Sequence, residues 1–128
     1  MYTIQEVSHM TGLTPHTLRY YEKEGLLPNV ERSPSGIRRY SDRDLEVLGG
    51  ICCLKSTGMS LQDIARFLQL SREGDRTLPQ RVALLQSHRE TVLARMAEMQ
   101  AHLETVTRKL DCYQEKLQAY EAQSADRP

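Results

Sequence analysis

Apolar positions in the N-terminal half recur at helical spacing in short runs, each opened by a capping residue and closed by a turn. Thr3 and Glu6 have the spacing of a capping box, and Ile4, Val7 and Met10 follow as one stripe that Gly12 ends. Thr14 is suited to an N-cap and Pro15 to the first helical position, so a second helix runs through Leu18 and stops near Gly25. Two short helices joined by a glycine-containing turn predict a helix-turn-helix. From Pro28 to Tyr40 the period is lost. Ser33-Pro34-Ser35-Gly36 reads as a turn and Ile37-Arg38-Arg39-Tyr40 as a short strand, so a hairpin, or wing, is expected. Ser41 and Asp44 repeat the capping-box spacing ahead of a helix over about residues 42–56. Gly58 closes it. Ser60 and Asp63 then open another, with Leu61, Ile64, Phe67 and Leu68 on its apolar face, and the polar stretch 71–75 breaks the pattern.

Beyond that break the spacing changes to alternating steps of four and three. Leu78, Val82, Leu85, Val92, Met96, Met99, Leu103, Val106, Leu110, Tyr113, Leu117 and Tyr120 continue it over about six heptads, with Arg89 the one interruption. A two-in-seven stripe is too narrow to cover a globular core, so this helix is expected to pair with a second copy as a coiled coil. A solvated single helix is the bland alternative. The expected architecture is therefore mainly α: a winged helix-turn-helix of four helices and a hairpin over 1–72, a dimerisation helix over 77–121, and a flexible tail over 122–128.

Composition narrows the function classes. Lys plus Arg and Asp plus Glu stand at 17 each, so net charge predicts no partner and only local arrangement can. No apolar run approaches the roughly 20 residues that span a bilayer, and the N-terminus lacks the pattern of a signal peptide. A cytoplasmic, nucleoid-associated protein without membrane contact is expected. Cys52, Cys53 and Cys112 are an odd set, for which free thiols are the default. No nucleophile–base pair, phosphate loop or paired carboxylates emerge, so no enzyme and no cofactor are expected.

The residues over 14–28 carry the strongest functional signal. Leu18 marks the inward face of the second helix, leaving His16, Thr17, Arg19, Tyr20, Tyr21 and Lys23 around the remainder. Hydroxyls, phenols and cations near the start of an exposed helix suit major-groove insertion. Residues 14–43 hold six Lys/Arg against four Asp/Glu, a small excess. Arrangement matters more, because Arg38, Arg39 and Tyr40 stand on the hairpin beside the helix. Structural uses remain open at this stage: Tyr20 or Tyr21 packing the helix on the hairpin, Arg19 pairing with Glu22 or Glu24, and a protein-binding role for the whole unit.

Thr-Leu-Arg-Tyr-Tyr-Glu-Lys-Glu-Gly-Leu-Leu at 17–27, Ser-Gly-Ile-Arg-Arg-Tyr at 35–40 and Gly58-Met59-Ser60-Leu61 together resemble the N-terminal signature of the MerR family of regulators. The resemblance implies a winged-helix domain and a dimerisation helix that pairs antiparallel with its mate; the heptad period itself is silent on direction. It implies binding to double-stranded promoter DNA with an overlong spacer, bent and untwisted so that RNA polymerase, an indirect partner, can use it. By motif, Arg19, Tyr20 and Tyr21 would contact DNA from the recognition helix, and Arg38, Arg39 and Tyr40 from the wing.

The same resemblance bears on the signal sensed. Metal-responsive members carry a cysteine at the start of the dimerisation helix and two beyond its end; here the start reads Arg76-Thr77-Leu78-Pro79-Gln80 and no cysteine follows Cys112. His88 and His102 are fourteen residues apart, too far to share an ion within one chain, and no metal site is expected. At about 100° per residue, Leu45, Val47, Leu48, Ile51, Cys52 and Leu54 share one arc of their helix, and Cys53 falls outside it. Small regulators of this type that respond to aldehydes, electrophiles or nitrosative stress have a cysteine five residues before the glycine of the Gly-hydrophobic-Ser step, which here is Cys53. Glu73–Thr77 resembles the same branch. A thiol switch at Cys53 is therefore expected, acting by repacking the junction between reading head and dimer axis. Cys53 lies toward the C-terminal end of its helix with Lys55 pointing away, so an inert thiol and a regulator of another ligand, metal or small molecule, is the alternative. Cys112 lies outside the seam and is read as a bystander.

Overall fold

In the computed structural model, residues 1–125 are described. They form α1 (Ile4–Thr11), α2 (Pro15–Lys23), β1 (Glu31–Arg32), β2 (Arg38–Arg39), α3 (Asp42–Ser56), α4 (Leu61–Arg72), a 3-10 turn (Asp75–Thr77) and α5 (Leu78–Ala125). The caps are those the spacing predicts. Thr3 with Glu6, and Ser41 with Asp44, close reciprocal capping boxes, while Thr14 and Ser60 accept the N3 amides of α2 and α4. Gly12 terminates α1 in the left-handed region at φ 76°, which a side chain would resist.

The hairpin is antiparallel, with Glu31 opposite Arg39 and Arg32 opposite Arg38. Its turn is closed by the Gly36 amide donating to the Ser33 carbonyl at 2.8 Å. The strand is shorter than the expected 37–40, because Tyr40 leaves the hairpin for a different partner. Its backbone exchanges two hydrogen bonds with Tyr2, at 2.8 and 2.9 Å, and this isolated bridge ties the wing to the start of the chain.

The described residues divide into two compact units, Met1–His88 and the remainder from Arg89 onward. In the first, Val7, Leu18, Tyr21, Leu26, Leu27, Tyr40, Leu48, Ile51, Met59 and Ile64 form one buried cluster. This unit extends past residue 72, where the reading head was expected to end. Thr77 is buried, and its hydroxyl reaches the Leu70 carbonyl at 2.6 Å and that of Gly74 at 2.8 Å. Arg81 donates to Thr77 Oγ1 at 3.1 Å and Leu84 packs on the core cluster. His88 Nε2 lies 2.9 Å from the Thr57 hydroxyl at the C-cap of α3. Thr77, Arg81, Leu84 and His88 thus form a stripe of their own, one residue or about 100° around the helix from Leu78, Val82 and Leu85. The first turns of α5 serve the head with one face and leave the seam free on another.

From Arg89 onward α5 is a helix with no buried residue. Met96, Met99, Leu103, Val106, Leu110, Tyr113, Leu117 and Tyr120 are all more than half exposed. Helix persists through Ala125, so residues 122–125 of the expected tail are helical; 126–128 lie outside the described residues. No helix is long and apolar enough to cross a membrane.

Candidate nucleic-acid interface

Helix α2 is amphipathic in a literal sense. Leu18 and Tyr21 face inward and are buried, while positions 16, 19, 20 and 23, spaced three, four and seven apart, share the opposite face. His16, Arg19 and Lys23 are exposed there, and Tyr20 is 44% exposed. With Glu22, Arg32 and Arg38 these four line a shallow concavity of about 500 Å³. Thr14, the N-cap, donates from its hydroxyl to Thr17 Oγ1 at 3.0 Å, so Thr17 belongs to the helix start and is half-buried.

Two tyrosines differ from the expectation that they reach DNA. Tyr21 is 1% exposed, tilted against Tyr20 with ring centroids 6.5 Å apart, and its hydroxyl accepts from Lys55 Nζ at 3.3 Å. Tyr40 is 0% exposed and its hydroxyl has no partner among the described residues. Burial, reinforced by the Glu22 carboxylate, pushes the Tyr40 phenol's pKa up, so the group stays neutral. The physical reason is the same in both cases. Each belongs to the buried cluster, where a large aromatic ring adds apolar surface to the core. Neither side chain presents a surface to a duplex. They support the helix and the hairpin from within.

Arg38 and Arg39, adjacent in sequence, also part company. Arg39 is exposed. Arg38 is half-buried and donates from Nε to Glu22 Oε2 at 2.6 Å, while Arg32 Nη2 reaches Glu22 Oε1 at 3.2 Å. Glu22 therefore pairs with the hairpin, and Arg19, for which pairing with Glu22 or Glu24 was the structural alternative, makes no ion pair among the described residues. Sequence reading missed Glu22 and Arg32 as members of this surface. Glu22 pairs with Arg32 and Arg38 across ten and sixteen residues, beyond any local spacing rule.

The thiols divide by position. Cys53 is exposed on α3, Cys52 is partly buried, and Cys112 is exposed on α5. Gly49 and Gly50, beside Cys53 on α3, are exposed and have open space where a side chain would begin. Lys55 sits with Nζ 5.8 Å from the Tyr21 ring centroid and bonds its hydroxyl, so this cation serves the recognition helix. Two residues on, the Thr57 hydroxyl donates to the Leu54 carbonyl at 2.6 Å. The same hydroxyl oxygen lies 2.9 Å from His88 Nε2, within hydrogen-bond distance. Among the described residues no three His, Cys, Asp or Glu side chains converge as metal ligands would.

Residues 2–71 match the family of MerR helix-turn-helix regulatory proteins, and residues 45–109 match a second family described as MerR, DNA binding. An HTH-type transcriptional regulator of Haemophilus influenzae is 42% identical over 114 residues, covering 89% of this chain and 84% of that protein. Among solved structures, HiNmlR, a MerR family regulator lacking the sensor domain and bound to promoter DNA, is similar at 42% identity and a TM-score of 0.74. The likeness covers 89% of this chain and 90% of that one. A putative MerR family regulator from Listeria monocytogenes is similar at 31% identity and a TM-score of 0.80, over 97% and 99% of the two chains.

Proposed function

The chain belongs to the MerR family of DNA-binding transcriptional regulators, and from that premise we propose that it acts as a homodimer on promoter DNA with an overlong spacer. The observation that carries this reading is the face of α2. His16, Arg19, Tyr20 and Lys23 stand side by side on an exposed helix, beside a hairpin presenting Arg39, in a head whose α5 bears an uncovered apolar seam. Pairing of two seams over about residues 77–121, antiparallel, sets two heads at a fixed separation, and two-fold symmetry then calls for a two-fold-symmetric site. Bending and untwisting that site realigns the promoter for RNA polymerase. Replacing Arg19 with alanine is expected to weaken binding to the cognate promoter about ten- to a hundredfold and to flatten its salt dependence by about one phosphate contact. Unchanged affinity in a salt titration of gel shifts would remove α2 as the reading element.

Switching is assigned to Cys53. Its thiol is exposed on α3, whose C-cap Thr57 is bonded to His88 of α5, so α3 is one of the elements that hold the head to the first turns of the dimerisation helix. Addition of the thiol to an aldehyde forms a C–S bond and passes the thiol proton to the carbonyl oxygen, without an oxidant. S-nitrosoglutathione instead passes its nitroso group to the thiol sulfur, an S–N bond forming on Cys53 as the donor's S–N bond breaks, and the displaced proton ends on the released glutathione thiol. Either enlarges the side chain beside Gly49 and Gly50 and biases the set of the head. Cys53→Ser is expected to bind DNA as the native protein does while losing transcriptional induction by formaldehyde or S-nitrosoglutathione. Full induction in that variant discards the thiol switch. The second reading, a regulator of another ligand with inert cysteines, is favoured by one contact: Lys55, the cation nearest in sequence, is taken up by Tyr21. The same variant decides between them.

A further inference from the structure

We propose that Glu22 is a positioning residue for DNA recognition: one acid on the DNA-facing surface clamps the wing to the recognition helix and so fixes the angle between them. The inference rests on the reading of α2 and the hairpin as the DNA-facing surface.

The hairpin has two paired residues in each strand, too few to hold an orientation by itself. Its root is secured by Tyr40, whose ring is in the core and whose backbone pairs with Tyr2. Val30, just before β1, packs on the same core, so both of these anchors lie at the root and leave the turn end free to swing about them. The anchor beyond the root is Glu22. Arg32 and Arg38 are register partners directly across the two strands, a placement in which like charges repel. The Glu22 carboxylate sits between them, taking Arg38 Nε on one oxygen and Arg32 Nη2 on the other. Arg32 also donates through Nη1 to the Gly36 carbonyl at 3.3 Å, so the clamp reaches the turn itself. Repulsion across the hairpin becomes a three-membered bridge that ends on α2. An acid at this place carries an electrostatic cost beside phosphates, and holding the wing offsets it.

Charge and geometry predict opposite outcomes, which makes the clamp testable. If Glu22 were only a negative charge near DNA, Glu22→Gln would tighten binding to every sequence alike. As a clamp, its loss frees two guanidinium groups for any phosphate while the wing loses its register. The experiment uses the full chain, a duplex that the native protein selects from a random-sequence pool, and a scrambled duplex of equal length. The expected result for E22Q is about five- to tenfold weaker binding to the selected duplex. Scrambled duplex should be bound as well or better, with a salt slope steeper by about one phosphate contact. Arg38→Gln should lose specificity similarly, and the double variant E22Q/R38Q should be no worse than either single one. Equal tightening on both duplexes, or additive losses in the double variant, overturns the clamp. Should E22Q melt well below the native protein, Glu22→Asp takes its place. It keeps the charge on a shorter stem, so the clamp predicts a loss of specificity and a pure charge effect predicts none. Arg19→Ala, outside the clamp, reports separately on the DNA-facing surface, and a pool from which the native protein enriches nothing removes that surface and the clamp with it.

Discussion

The two units of this chain use the same apolar residue types to opposite ends. In Met1–His88, Val7, Leu18, Leu48, Ile51 and Ile64 are fully excluded from solvent, whereas on α5 Leu103, Val106, Leu110 and Leu117 are 53–62% exposed. Sequence hydrophobicity does not separate these groups. Arrangement does. The head presents stripes from four short helices that converge and cover one another; the outer helix has a single narrow stripe and nothing in its own unit to cover it. The head is complete within one chain; on the proposed reading the long helix is half of an interface.

That contrast predicts which substitutions act on association and which on folding. The largest effect is expected from Leu103→Asp with Leu110→Asp. Each leucine forgoes about 1.5–3 kcal/mol of burial, counted twice by symmetry. The protein should sediment as a monomer and lose promoter binding while its head still melts cooperatively. A dimer persisting at micromolar concentration would show that the seam is not the interface. Next in size, Ile51→Ala removes core volume at a cost of about 3 kcal/mol. It should lower the melting temperature by roughly 10–20 °C with no change in oligomeric state. If it dissociated the dimer instead, the division into two independent units would fail. The smallest change sharpens the boundary between the units. His88→Ala breaks the bond to Thr57 and should cost about 1 kcal/mol, visible as faster amide exchange in the last turn of α3. Association through the seam should be untouched.

Much of the head was legible in the sequence because its signals are local. Thr3 with Glu6 and Ser41 with Asp44 form the capping boxes their spacing announces, Gly12 closes α1, and the heptads run through one continuous helix. The arc on α3 also holds, with Leu48 and Ile51 buried and Cys53 outside it. Legibility falls where a residue has two uses. Tyr21 and Tyr40 sit in a DNA-contact signature yet fill the core, and Arg38 and Arg39 look interchangeable until one pairs with Glu22. The stripe of Leu84 and His88 was masked by the stronger heptad period beside it.

What the sequence determined by itself is the set of elements, their ends and the faces they bury, since capping, glycine turns and helical period act over a few residues. What tertiary structure alone decided is which side chains remain outside once those elements meet. The Tyr2–Tyr40 bridge, the Glu22 bridge to both strands and the Thr57–His88 bond each join residues far apart in the chain. Their geometry follows from how helices and hairpin pack around a common core, and no spacing along the chain encodes it.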